Sequence, residues 1–320
     1  MRILVLGGTR FLSKQICAAA LARGHEVVAA ARGVHGQPPA GVRFVVWDRA
    51  ESPPDELRTL VPEVVIDVTG TPAFAARAVA TWSGAHWIFI STISVYADAS
   101  RPGGTVADTP VLEPLWEGDS AEAYGPMKVA CEQVIRDGAA SSLALRPGLI
   151  VGPGDPTGRF TYWPYHAREA ARDGSALLVP GTPNDPVQYI DVRDLAAWVV
   201  RAGEQRLTGC FDAVGPAMAR AEFVAGLMAG VGTSLESVYV PTERLVGLGV
   251  AEWYGPGSIP LWISSPEAAG LMARNVAESL KAGLVVRPLA DTVRDILAWL
   301  EATPDAPVTG LTRSEELALL

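Results

Sequence analysis

The sequence predicts an α/β protein built on a doubly wound parallel sheet, with a smaller C-terminal substrate lobe interleaved with it. Three observations predict this class. An apolar run within residues 2–6 gives way to Gly7-Gly8-Thr9-Arg10 and then to an alanine-rich stretch ending at Gly24, the order strand, glycine turn, helix. Further apolar runs at 26–31, 42–47, 64–68, 87–91 and 143–145 alternate with helical stretches at about 55–60, 72–82 and 124–138, as parallel strands with crossover helices require. Beyond Pro153 the pattern changes to turn formers and aromatics. Residues 1–153 therefore read as a dinucleotide-binding Rossmann core. Residues 154–320 read mainly as the second lobe, with returns to the core near 187–215 and at 290–303.

At 320 residues with 49% hydrophobic side chains, the chain is long enough to bury a sizeable core. No apolar run reaches the roughly 18 residues needed to cross a bilayer, and the glycines at 7 and 8 cut the first run too early for a signal peptide. A net charge of -9 and a pI near 5.0 argue against a nucleic-acid surface. Cys17, Cys131 and Cys210 are odd in number and widely spaced, which fits neither a disulfide framework nor a metal site and points to a reducing cytoplasm.

The first strand-turn-helix aims backbone N–H groups and a helix N-terminus at a pyrophosphate. Gly7 holds the first glycine position of that turn, while Arg10 and Ser13 stand where a second and third glycine are usual. Gly7, Thr9, Arg10, Phe11 and Leu12 are the expected cofactor residues of the turn. The second strand ends in Ala31-Arg32-Gly33 without an acid. A carboxylate there accepts the ribose 2′-OH, whereas an arginine accommodates a 2′-phosphate. NADP(H) is thus favoured over NAD(H), with Arg32 and Arg10 as phosphate partners or, alternatively, as solvent-facing turn residues. Asp48, after the third strand, either bonds adenine or caps a helix. Asp67, unusual in a buried strand, needs hydrogen-bond partners, and a structural role is expected for it.

Tyr124 and Lys128 open the helical stretch 124–138. A four-residue spacing puts phenol and ammonium on one face, where the positive charge favours the phenolate and so makes a general acid/base.

Gly7-Gly8-Thr9-Arg10-Phe11-Leu12, Ile90-Ser91-Thr92-Ile93-Ser94-Val95-Tyr96, Tyr124-Gly125-Pro126-Met127-Lys128 and Arg146-Pro147-Gly148-Leu149-Ile150-Val151-Gly152-Pro153 occur in this order. Together they resemble the extended short-chain dehydrogenase/reductase superfamily, across nearly the whole chain. The opening motif also resembles an atypical branch containing actinobacterial reductase-like and plastid RNA-associated proteins. The resemblance implies that Thr92 hydrogen-bonds a reacting carbonyl oxygen, with Ser91 and Ser94 as neighbouring hydroxyls. It implies that Tyr124 transfers the proton and that Lys128 both lowers the tyrosine pKa and holds the nicotinamide ribose. Thr69 and Gly70 would line the cofactor, and Pro147 to Ile150 would meet the carboxamide through backbone groups.

The segment 154–166 is dense in turn formers and aromatics, and Tyr162, Trp163, Tyr165 and His166 are expected either to shape a substrate pocket or to form a local cluster; Ser94 can face the same pocket. Val187 to Asp194 is expected to return to the sheet. An amphipathic helix is expected through Trp299-Leu300, with a surface tail carrying a short helix from Pro304.

Dehydration is disfavoured because Ile93-Ser94 follows Thr92 where a dehydratase would carry Asp-Glu. The sugar-nucleotide reading is weakened because Val187 and Gln188 occupy the place of a diphosphate-clamping arginine, a part left to Arg159 or Arg193. The expected activity is NADP(H)-dependent reduction of a ketone or aldehyde of a small apolar or aromatic metabolite. The alternatives are a sugar-nucleotide epimerase with tightly held cofactor and a non-catalytic cofactor-sensing or RNA-associated protein. A homodimer is compatible with either enzyme reading.

Overall fold

The computed structural model describes residues 1–320. In chain order the main elements are β1 (Arg2–Leu6), α1 (Phe11–Ala22), β2 (Glu26–Ala31), β3 (Arg43–Val46), β4 (Val64–Asp67), α2 (Pro72–Thr81), β5 (His86–Ile90), α3 (Tyr124–Gly138), β6 (Ser141–Arg146), α4 (Tyr162–Asp173), α5 (Val192–Glu204), β7 (Gly209–Asp212), α6 (Arg220–Val231) and α7 (Leu289–Ala302). The seven strands form one parallel sheet in the order β7-β6-β5-β4-β1-β2-β3. The order reverses direction at β1, which lies between β2 and β4. At such a switch point the crevice outside the strand C-termini is open to a ligand.

Alternation along each strand feeds two cores. Ile3, Val5, Val27, Ala29, Ile88 and Ile90 face α1 and α5. Leu4, Leu6, Val28, Ala30, Trp87 and Phe89 face α2 and α3. Strands covered on both faces read as continuous apolar runs, which is why they were visible in the sequence. Each fully buried aliphatic side chain contributes about 1.5–3 kcal/mol.

A third core gathers Phe160, Trp163, Leu177, Val179, Phe223, Trp262, Val293 and Ile296 from the C-terminal half. The end of the expected aromatic loop 154–166 is corrected: from Tyr162 it is already part of helix α4. Pro164 is tolerated because it falls in the first turn, where N–H groups lack intrahelical partners. The expected return of residues 187–194 to the main sheet is also corrected. Pro186–Val187 and Ile190–Asp191 pair in separate two-stranded pieces, and the strand that joins the sheet is β7. The tail helix Arg313–Leu319 is docked through Glu316, which is buried against His166 of α4. No helix is long and apolar enough to cross a membrane.

Candidate active site

Where β1 meets α1, Gly8 has φ +99, and a Cβ there would lie 2.6 Å from the Ala29 Cβ of β2. Only glycine allows that approach. At Gly7 a Cβ would meet the Ser13 side chain at 3.2 Å, so the small serine keeps α1 close to the turn. The turn opens onto a pocket of about 520 Å³ lined by Gly7, Thr9, Arg10, Arg32, Asp48 and Thr69 among others. Arg10, Arg32 and Asp48 are exposed there. The free N–H groups of the first turn of α1 and two exposed guanidinium groups make a donor set that fits a dinucleotide. Leu12 is a correction: its side chain is 8% exposed and lies in the core beneath α1, leaving only its backbone for a ligand. Gly70 lies just past Thr69 with open space around its Cβ position.

The pocket also contains His35, Trp47, Arg49 and Phe74, none of which the motifs marked. Arg49 grips Asp67 with Nη1 and Nη2 at 2.6 and 2.8 Å and gives a further bond from Nη2 to the Phe74 carbonyl. Asp67 Oδ1 also accepts the Thr69 N–H at 2.9 Å. The buried strand carboxylate is therefore satisfied, and it fixes the chain where Thr69 lines the pocket. Arg49 escaped notice because it follows the third strand in a loop with no periodicity, and its partner is distant in sequence.

The neighbouring cleft, about 430 Å³, runs along the C-terminal ends of β4, β5 and β6. Phe11, Thr92, Ser94, Tyr124, Lys128, Pro147 and Ile150 line it together. Thr92 ends the segment after β5 in extended conformation, and its Oγ1 accepts the Ser94 N–H at 3.1 Å while donating to Ser94 Oγ at 3.1 Å. Helix α3 lies directly on this turn: a Cβ at Gly125 would sit 2.2 Å from the Ser94 carbonyl oxygen. Glycine between Tyr124 and Pro126 is thus what lets the phenol reach Thr92. Beneath the turn, Ser91 donates to Glu132, which also accepts two bonds from Arg146 at 3.0 and 2.7 Å.

Lys128 is 3% exposed. Its Nζ donates to the carbonyls of Ile90 at 2.7 Å and Val68 at 3.3 Å and lies 4.7 Å from the centre of the Phe89 ring. Burial lowers its pKa to about 8, against the opposing pull of nearby Cys131 and Asp67. Tyr124 is 46% exposed as a whole, and partial desolvation of its hydroxyl raises the phenol's pKa, with the Thr92 hydroxyl acting in the opposite sense. The expected lowering of the phenol by Lys128 is corrected accordingly: the ammonium is 6.0 Å from the tyrosine ring centre and is turned toward backbone carbonyls.

Tyr162 and Trp163 are not brought to the cleft. Both are fully buried in the third core, with Trp163 Nε1 bonded to the Pro260 carbonyl at 3.1 Å. Once residues 162–173 wind into a helix, their aromatic face turns inward. The cleft instead carries Asp155, Thr157, Arg159 and Trp253. Arg193 is bound to Asp191 and Asp295, which leaves Arg159 as the guanidinium in the cleft. No group of three His, Cys, Asp or Glu side chains could hold a metal.

Residues 62–209 match the model of the NAD dependent epimerase/dehydratase family. The chain is 32% identical to dTDP-6-deoxy-L-talose 4-dehydrogenase (NAD(P)(+)) of Kitasatospora kifunensis, over 48% of this chain and 54% of the relative. It is also 32% identical to 2'-dehydrokanamycin reductase of Streptomyces kanamyceticus, over 47% of this chain and 43% of the relative. The chain is thus similar to this family, and to a dehydrogenase and a reductase, over about half its length. It spans about half the length of the curated relatives it matches. The fold is shared with solved structures. WbmH of Bordetella bronchiseptica in complex with NAD+ aligns over 94% of this chain and 99% of its own, with TM-score 0.62 and 16% identity. UDP-glucuronic acid 4-epimerase of Bacillus cereus in complex with NAD aligns over 95% and 98%, with TM-score 0.63 and 15% identity.

Proposed function

We propose that this protein is an NADP(H)-dependent oxidoreductase that reduces the carbonyl group of a small molecule to an alcohol, or runs the reverse reaction. The observation that carries this reading is the convergence of Thr92, Tyr124 and Lys128 on one cleft beside the glycine-turn pocket. When bound, the nicotinamide supplies and accepts hydride.

The remaining chemistry belongs to the chain. Thr92 Oγ1, positioned by the Ser94 N–H, turns its single O–H from Ser94 Oγ to the substrate carbonyl oxygen and so stabilises the charge that develops there. Tyr124 donates its proton to that oxygen, and a phenol raised by burial is fully protonated and ready as the acid at neutral pH. Lys128 holds the ribose hydroxyls with an ammonium anchored on two carbonyls. Ser94 borders the substrate side. Arg10 and Arg32 take the 2′-phosphate, supported by their exposure on the pocket rim and by the lack of an acid at the end of β2.

The names of the two curated relatives, a dehydrogenase and a reductase, support oxidation and reduction of a sugar-ring carbon over epimerisation. With Tyr162 and Trp163 in the core, the cleft is lined by polar side chains as well as apolar ones, which favours a substrate with a polar ring over a purely aromatic one. Carbonyl-dependent loss of NADPH absorbance by the wild type, compared with Tyr124→Phe, tests the reading. Full turnover by Tyr124→Phe would reject it.

A further inference from the structure

We propose that residues 307–311 are a positioning strap, which ties together the two loops that the C-terminal half contributes to the cleft and is fastened by Glu316. The effect of the strap on turnover rests on the reading of this cleft as a carbonyl-reducing site, whereas its effect on the loops does not.

Thr92, Tyr124 and Lys128 enter the cleft from the ends of strands and from α3, but the facing side chains come from turns. Asp155, Thr157 and Arg159 lie on one turn, and Trp253 lies on another, between the paired pieces Ala251–Glu252 and Ser258–Ile259. The two meet where the Arg159 guanidinium carbon lies 5.1 Å from the centre of the Trp253 ring. The strap bonds to both. The Thr309 N–H donates to the Gly158 carbonyl at 3.2 Å, and the Leu311 N–H donates to the Ser258 carbonyl at 2.8 Å. A Cβ at Gly158 would lie 2.8 Å from the Pro307 carbonyl oxygen. At Gly310, where φ is +122, a Cβ would lie 2.7 Å from the Tyr162 ring and 2.9 Å from the Ser258 carbonyl oxygen. Glycine on each side is what permits this contact. From Ser258 the connection continues to Trp253, whose N–H donates to the next carbonyl, that of Ile259, at 3.3 Å. Trp253 holds φ +71, a conformation that costs about 1–3 kcal/mol and persists where the surroundings impose it.

The strap is fastened by a carboxylate removed from water. Glu316, in the helix Arg313–Leu319, is 0% exposed. Its Oε1 accepts the Leu178 N–H at 3.2 Å, and its Oε2 is bonded to His166 Nδ1 and to Arg313. Arg313 also reaches Asp173 at the end of α4 at 3.0 Å. His166 stacks on Tyr162 with ring centres 4.0 Å apart, and Tyr162 is the ring against which Gly310 rests. Thr312, directly after the strap, caps the helix by accepting the Glu315 N–H. A carboxylate buried with this many partners holds one position, and its removal leaves those partners unsatisfied.

The test follows amide hydrogen exchange by mass spectrometry in the full chain. In Glu316→Ala, residues 307–311 and both loops, 154–160 and 251–259, should exchange at least about tenfold faster, while β1, β4 and α3 exchange as in the wild type. Glu316→Gln keeps the shape and should retain most of the protection. Thr309→Pro removes the donor to Gly158 and should loosen 154–160 more than 251–259. NADPH affinity should be unchanged in all three. With a ketone that the wild type reduces, KM should rise about tenfold in Glu316→Ala and kcat should change less. A released tail with both loops as protected as in the wild type, or a loss of protection that includes β1 and β4, would overturn the proposal. Should Glu316→Ala loosen the third core as a whole, Thr309→Pro decides, and unchanged exchange in 154–160 would overturn it. Failure of the wild type to reduce any ketone would count against the reaction and not against the strap, so the two ideas fail separately.

Discussion

Beside the glycine turn the charged side chains Arg10, Arg32 and Asp48 stand in solvent, whereas in the adjoining cleft Lys128 and Asp155 are 3% and 1% exposed. Exposed charges act through water and are screened by salt. Buried charges have their protonation set by their surroundings, as the Lys128 pKa of about 8 illustrates. On the proposed reading, recognition of a cofactor phosphate can therefore be adjusted by single surface arginines, while the cleft depends on close packing that tolerates little change. One residue crosses this division. Arg49 belongs to the solvent-facing pocket, yet it is largely buried and its ion-pair partner Asp67 is fully so.

The sharpest way to break the contrast is at the reacting end. Tyr124→Phe is expected to lower turnover about 10²–10⁴-fold with cofactor affinity preserved, measured by steady-state kinetics beside cofactor titration. Gly125→Ala should fall in the same direction by about 10²-fold, because its Cβ would displace α3 from the Ser94 carbonyl and move the phenol.

Next comes the exception in the other pocket. Arg49→Met leaves Asp67 buried without its cation, and denaturant unfolding should show a loss of about 3–5 kcal/mol. Replacing Asp67 by Asn in the same chain should recover part of it.

Smaller effects are expected at the exposed arginines. Arg32→Ala should weaken NADPH about tenfold and leave NADH unaffected, and the NADPH preference of the wild type should shrink as salt is raised. Equal affinities in the wild type would reject the 2′-phosphate assignment.

The smallest effect is a pH dependence. In the proposed role the ammonium of Lys128 donates to ribose, so that contribution is expected below pH 8 and lost as pH rises through about 8. Cofactor affinity followed by fluorescence should decline there by a few-fold, and Lys128→Arg should flatten the decline. A flat wild-type profile would remove Lys128 from the ribose site. Stability moves the other way: because the folded pKa lies below the unfolded value of roughly 10.4, the unfolded chain binds more protons between the two, and this group's contribution to stability rises with pH across that window.

The sheet half was legible because strands buried on both faces leave continuous apolar runs, and because Gly7-Gly8 and Tyr124-Gly125 are short motifs whose neighbours in sequence are also neighbours in space. The second lobe was not. Its helix α4 begins with Tyr162-Trp163-Pro164-Tyr165, which reads as a loop until Phe223 and Trp262 supply a core to cover it. The same limit hid Arg49 and Trp253, whose roles depend on Asp67 and Arg159 across the fold. The expectation corrected around Thr92, Tyr124 and Lys128 is electrostatic. A four-residue spacing brings Lys128 to the correct face of α3, but the carbonyls of Ile90 and Val68 that claim its ammonium come from other strands.

The most direct measurement is the fate of NADPH when the purified protein, first stripped of any bound nucleotide, is mixed with a panel of ketones. The expected result is an absorbance loss that requires the ketone, matches the alcohol formed, and disappears in Tyr124→Phe. A nucleotide that cannot be exchanged and shows no net oxidation with any ketone, or undiminished oxidation by Tyr124→Phe, would contradict it.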